Sequence, residues 1–150
     1  MVIVPASLHA CGFASLDTAT LYALLRLRVD VFVVEQECAY PELDGRDTEP
    51  GTRHMWLADS DLPLAYLRLL VEPDGSYRIG RVCVDSGHRG RGLAWRLVVE
   101  AVRLSAGLDV VLDAQTYLRG WYEQLGFTVS GPEFVEDGIP HLPMRRSAAG

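Results

Sequence analysis

The chain has 150 residues, 49% hydrophobic and 23% charged, which suits one globular domain with a real core and excludes a disordered chain. A net charge of −6 removes the basic footprint that nucleic-acid binding needs, and no apolar run reaches the roughly 20 residues of a membrane span. The opening Met1-Val2-Ile3-Val4-Pro5 lacks a basic n-region, and Cys11, Cys38 and Cys83 lack ligand-like spacing, so a cytoplasmic protein with reduced thiols and no metal is expected.

Residues 6–13 read as a first strand. Asp17 or Thr18 then caps a helix whose apolar face is Leu21, Leu24, Leu25, Leu27 and Val31, ending near Val34. Residues 35–53 form a polar loop rich in acids: Glu35, Glu37, Glu42, Asp44, Asp47 and Glu49. A loop this long inside a small domain is either functional or a solvated connector. If functional, its charge would steer a cationic ligand. Residues 54–60, 63–72 and 77–85 read as hairpin-linked strands, with a turn at Pro73-Asp74-Gly75-Ser76. A helix over 91–105, a short buried strand over 109–113 and a helix over 116–125 ended by Gly126 follow. The expected order is β-α-β-β-β-α-β-α-β-β, an α/β fold with a mixed, mostly antiparallel central sheet and helices on both faces.

The hand-over from strand to helix at Arg89-Gly90-Arg91-Gly92-Leu93-Ala94 carries the chemistry. A helix start offers unpaired N–H groups and the positive end of the dipole, which hold a pyrophosphate well. Small residues at 90, 92 and 94 allow close approach, and Arg89 and Arg91 add charge. A tight turn that needs glycine only for its geometry gives the same pattern. A Walker A motif is excluded because no Gly-Lys-Ser/Thr follows. A dinucleotide fingerprint is excluded because antiparallel strands precede the turn and the third glycine is absent.

The pattern Arg89-x-x-Gly92-x-Ala94, followed by Trp121-Tyr122-Glu123-Gln124-Leu125-Gly126-Phe127, resembles the GNAT superfamily of acyl-CoA-dependent N-acyltransferases. Three further segments resemble its ElaA-like branch. They are Arg28-x-x-Val31-Phe32-Val33-Val34-Glu35-Gln36-x-Cys38-x-Tyr40, Asp44-Gly45-x-Asp47 and Glu136-Asp137-Gly138-Ile139-Pro140-His141. The likeness covers roughly residues 8–146, and one domain over residues 6–147 is expected. Where many members carry Asn and Ala, this chain has Gln115 and Leu118.

The resemblance implies acetyl-CoA as cosubstrate and a small-molecule or peptide amine as acceptor, with direct attack and no covalent intermediate. A homodimer is compatible with it. Backbone groups of Val82, Cys83 and Val84 would polarise the thioester carbonyl, and Gln115 would contact the cofactor. Tyr122 is the candidate acid for the leaving thiolate. Glu35, His54 and His141 are the candidate bases. Cys83 as a nucleophile has no activating neighbour in sequence. Glu133 to His141 would close over the site. Rival readings are an inactive acyl-CoA-binding regulatory module, a protein–protein adaptor, and an acyl-homoserine-lactone synthase-like enzyme. With no lysine among the basic residues, only the N-terminal amine of this chain could itself be acylated.

Overall fold

The apolar runs between residues 53 and 84 build the middle of the molecule. In the computed structural model, which describes residues 6–148, β2 (Arg53–Asp59), β3 (Leu62–Val71) and β4 (Tyr77–Val84) run antiparallel, as expected. Residues 1–5, on which the reading of the signal region and the N-terminal amine falls, lie outside the described residues. β3 is buried along nearly its whole length because both its faces are covered. Ala65, Leu67 and Leu69 enter one core, and Tyr66 enters the other.

β1 (Ser7–Gly12) pairs antiparallel with β2, while β5 (Val110–Gln115) pairs in parallel with β4. β8 (Ile139–Arg146) lies antiparallel to β5, and the short strands β6 (Thr128–Val129) and β7 (Phe134–Glu136) pair with β8. The result is one eight-stranded sheet ordered β1-β2-β3-β4-β5-β8-β6, with β7 beside β8. This is a single, mostly antiparallel α/β domain. It has one more strand at its C-terminal end than the sequence pattern predicts. Asp137 and Gly138, at φ 52° and 77°, make the two-residue turn that folds β7 onto β8.

Helix α1 (Thr18–Val29) is capped by Asp17, whose Oδ1 accepts from Thr20 N–H at 2.7 Å. It packs Leu24 and Leu27 on Trp56, Tyr66 and Cys83. The helix widens into a π-helical turn over Asp30–Glu35. Such turns are rare and frequent at functional sites, because they redirect the side chains that follow; here Phe32 and Glu35 reach the cleft described below. Helix α2 (Leu93–Leu104) packs Leu93, Leu97, Val98 and Ala101 on the opposite face of the sheet.

The expected helix over 116–125 is shorter: a 3₁₀ turn, Thr116–Leu118, leads into α3 (Arg119–Glu123). Gly126, at φ 93°, ends it as expected. Phe127 N–H donates to Tyr122 O at 3.2 Å and Gly126 N–H to Glu123 O at 3.0 Å, a Schellman closure. Its usual apolar contact is the Tyr122–Phe127 ring pair, 6.0 Å between centroids. The Gly-Phe of the motif therefore fixes where the tyrosine stands.

One irregularity opens the sheet. β4 and β5 pair only at Tyr77–Val110 and Arg78–Val111, and beyond that they part. In the same stretch the β3–β4 register shifts, so Arg81 and Val82 together oppose Leu67. This is a β-bulge, and Arg81 takes φ 52° within it.

Candidate active site

The parted strands form a cleft of about 910 Å³. One end is the turn at residues 88–94 and the other is the closed end of the β4–β5 pair. The floor is β4, β5 and β8. The walls are the π-helical turn, the loop after it and the β7–β8 hairpin.

At the turn, Gly92 caps α2 with φ 74°, and the first helical bond runs from Arg96 N–H to Gly92 O at 3.1 Å. The N–H groups of Leu93, Ala94 and Trp95 precede that bond and have no helical partner. Gly90, Gly92, Leu93 and Ala94 line the cleft. Arg91 is exposed and does not line it. Arg89 curls back: its Nη2 donates to Val84 O at 3.1 Å and lies 2.7 Å from Glu35 Oε2. A candidate base and a candidate phosphate ligand thus form an ion pair, which ties the π-helical turn to the phosphate turn.

Along β4, Asp85 N–H bonds Leu64 O toward β3 at 2.8 Å. By strand alternation, the backbone groups of Val84 and Val82 face the opened side. Cys83 turns inward, and burial pushes its thiol up to about 12, so it is a poor nucleophile at neutral pH.

Tyr122 is 6% exposed and lines the cleft between Trp121 and Phe127, with the Trp121 ring centroid 4.8 Å away. Burial, with a smaller contribution from Tyr117, pushes its phenol up to about 12, so it is fully protonated at neutral pH. Gln115 pairs with His141 across β5 and β8, and both line the cleft. His141 stacks on Phe134, and its Nδ1 donates to Ile139 O at 2.7 Å. Because a carbonyl only accepts, the neutral ring carries its lone pair on Nε2.

His54 stands elsewhere. It is 2% exposed in β2 and outside the cleft lining, with Nδ1 2.6 Å from Tyr66 Oη and Nε2 3.0 Å from Asp47 O. Burial lowers its pKa, with weaker opposing contributions from Asp47. Both ring nitrogens hold structure together, so this ring is not placed to take a proton in the cleft.

The acidic loop departs from the steering expectation. Most of its carboxylates are paired with arginines. Arg28, 1% exposed, donates through Nε to Glu42 Oε1 at 3.0 Å and through Nη1 to Asp47 Oδ1 at 2.8 Å. Arg68 holds Asp44 at 2.9 Å and Asp47 at 3.2 Å. Arg81 Nε donates to Glu42 Oε1 at 2.9 Å, and its guanidinium lies over the Tyr40 ring. Each of these carboxylates is matched by a guanidinium, so little field is left to attract a distant cation. The lattice instead pins the loop against β3 and the β4 bulge. The Asp137 carbonyl accepts from Cys38 Sγ at 3.4 Å, so the β7–β8 hairpin reaches the same loop and walls the cleft, as expected for Glu133 to His141.

The sequence reading missed Asp113, Arg78, Arg68 and Arg81, all of which line the cleft. Arg68 alone had a readable signal: one charged residue inside the apolar run Leu62–Val71. Among the described residues, no group of His, Cys, Asp and Glu could hold a metal ion, and no helix is long and apolar enough to cross a membrane.

Comparison with known proteins agrees with this geometry. A family described as an acetyltransferase (GNAT) domain matches residues 27–148. A UPF0039 protein of Mycobacterium tuberculosis is 48% identical over 139 residues, covering 90% of this chain and 89% of that one. An acyl-CoA N-acyltransferase from Pseudomonas aeruginosa superposes with a TM-score of 0.90 at 41% identity, over 95% of this chain and 99% of that one. ElaA of Escherichia coli gives 0.89 at 34%, with the same coverage. An open β4–β5 seam that ends on an unpaired helix start suits a long thioester with a pyrophosphate at one end, and the chain accordingly belongs to the GNAT acyltransferases, in the ElaA-like branch, as an acyl-CoA-dependent enzyme.

Proposed function

We propose that the protein is an N-acetyltransferase that moves an acetyl group from acetyl-CoA to an amine by direct attack. The observation that carries this reading is the parting of β4 and β5 above a glycine turn that caps α2. The pyrophosphate rests on the N–H groups of residues 93–95. The pantetheine arm runs along the open edge of β4. The thioester carbonyl meets a backbone N–H of the Val82–Val84 stretch, where negative charge develops in the transition state. The acetyl preference rests on the description of the matching family.

His141 Nε2 is the base of choice for the acceptor ammonium, directly or through water. Glu35 is the lesser candidate because Arg89 occupies it. Tyr122 protonates the leaving thiolate. Against a thiol near 8.5, a phenol near 12 is uphill by on the order of 5 kcal/mol. Donation must therefore accompany collapse of the tetrahedral intermediate rather than precede it. Direct attack is supported by the buried, protonated state of Cys83.

The experiment is a panel of primary amines with acetyl-CoA, reading thiol release and product mass. The expected result is an N-acetylated amine formed in step with free CoA. Thiol release without acetylated product, or none from any amine, contradicts the reading.

A further inference from the structure

One group in the cleft has no part in the chemistry above. Arg68 is 4% exposed, and its two terminal nitrogens are held by Asp44 and Asp47. Its Nε–H has no acceptor. Among the described residues it is the only buried side-chain nitrogen or oxygen in that state. Leaving a buried donor unpaired is costly, and more so on a charged group. The guanidinium cannot rotate to relieve this without giving up both carboxylates.

Gly80 stands opposite Arg68 in the β3–β4 register. It is not among the glycines at positive φ, so its backbone does not require glycine. Glycine inside a strand weakens it and marks places where something approaches closely. A Cβ added at Gly80 would have one heavy-atom neighbour within 4 Å: Arg68 Nε, at 3.9 Å. Gly80 therefore puts no side chain over the unpaired donor, and an oxygen reaches it once the groups that close it to solvent shift. Both residues line the cleft. The charges around them are already matched, Arg28, Arg68 and Arg81 against Glu42, Asp44 and Asp47. An incoming carboxylate would meet Asp44 as a like charge, whereas a neutral oxygen would not.

We infer that Arg68 Nε above Gly80 is a subsite for a neutral carbonyl oxygen of the acceptor. The acceptor class is then an aminoacyl amide, as at the first residue of a peptide, rather than a plain alkyl amine. This rests on the acetyl-transfer reading.

The test compares glycinamide, glycine and propylamine at saturating acetyl-CoA, with kcat/KM corrected to the free-amine form. Wild type is expected to favour glycinamide over propylamine by about 10-fold or more, chiefly through KM, with glycine below glycinamide. In Gly80→Ala the glycinamide-to-propylamine ratio is expected to fall toward one, because the new methyl covers Nε. Equal efficiencies in wild type overturn the subsite and leave acetyl transfer standing. Glycine equal to or better than glycinamide overturns the neutral assignment. Thiol release from none of the three, with acetyl-CoA bound, removes the acetyl-transfer reading and this inference with it. The wild-type series decides the matter even if the variant does not fold.

Discussion

Tyr122→Phe is expected to lower kcat for acyl transfer by about 10²- to 10⁴-fold, the usual worth of a positioned proton donor, with little change in acetyl-CoA affinity. The substitution removes one oxygen and keeps the ring. The packing on Trp121 and Phe127 and the Schellman closure around Gly126 remain, so fold and cofactor seat are preserved. The phenol's pKa of about 12 makes a second statement. Because it is raised, the protonated form persists across the working range, and loss of the donor sets in only near pH 12. Any limb of the wild-type pH–rate profile below that belongs to another group. Pre-steady-state rates for wild type and Tyr122→Phe check this. An unchanged rate for the chemical step would assign the proton to water instead.

Arg28→Met is expected to cost about 3 kcal/mol of stability, because it leaves Glu42 and Asp47 buried and short of a partner. In a domain of this size that is a fall in Tm of roughly 6–12 °C. The pH dependence follows from the carboxylates. Hydrogen bonds from Arg68 hold Asp44 far below the usual range. Burial pushes Asp47 up, but its hydrogen bond and charge interaction with Arg28 more than reverse this. Both folded pKa values lie below the unfolded value of about 3.9. The lattice therefore contributes fully above about pH 4 and is lost as the pH falls toward the folded values. The gap between wild type and variant runs through Asp47, which Arg28 holds, and should be constant from pH 5 to 8 and shrink below pH 4. Urea melts across that range measure it. A gap undiminished at pH 3 would mean that Arg28 stabilises by packing rather than charge.

Much of this was legible along the chain because it is local. Asp17 caps α1, Gly126 ends α3, and Gly92 opens α2 at positive φ; each depends on neighbours a few residues away. The three central strands followed from their alternation and turns. What the sequence hid is non-local. Arg28 meets Glu42 and Asp47 across 14 and 19 residues, and Arg81 meets Glu42 across 39. An acid-rich loop looks the same on paper whether its charges are free or matched, and so the steering expectation failed. His54 reads as a base because histidine titrates near neutrality. Its burial between Tyr66 and Asp47 is a tertiary fact. The bulge at Arg81 is hidden for another reason, since a residue at φ 52° in a strand contradicts its own local preference. Glu42 and the Tyr40 ring hold it there.

Acyl-CoA is expected to lie in the β4–β5 seam with its pyrophosphate on the start of α2. Calorimetric titration of acetyl-CoA into wild type and Gly92→Asp tests it most directly. Aspartate tolerates left-handed backbone better than most residues, so the φ of 74° at this position is a limited obstacle, and circular dichroism checks the fold. The added carboxylate stands where the pyrophosphate should lie. Micromolar binding to wild type is expected, with at least about 100-fold weaker binding to the variant, as like charges would meet at the helix start. Undiminished binding by Gly92→Asp, or no binding by wild type, would contradict this placement.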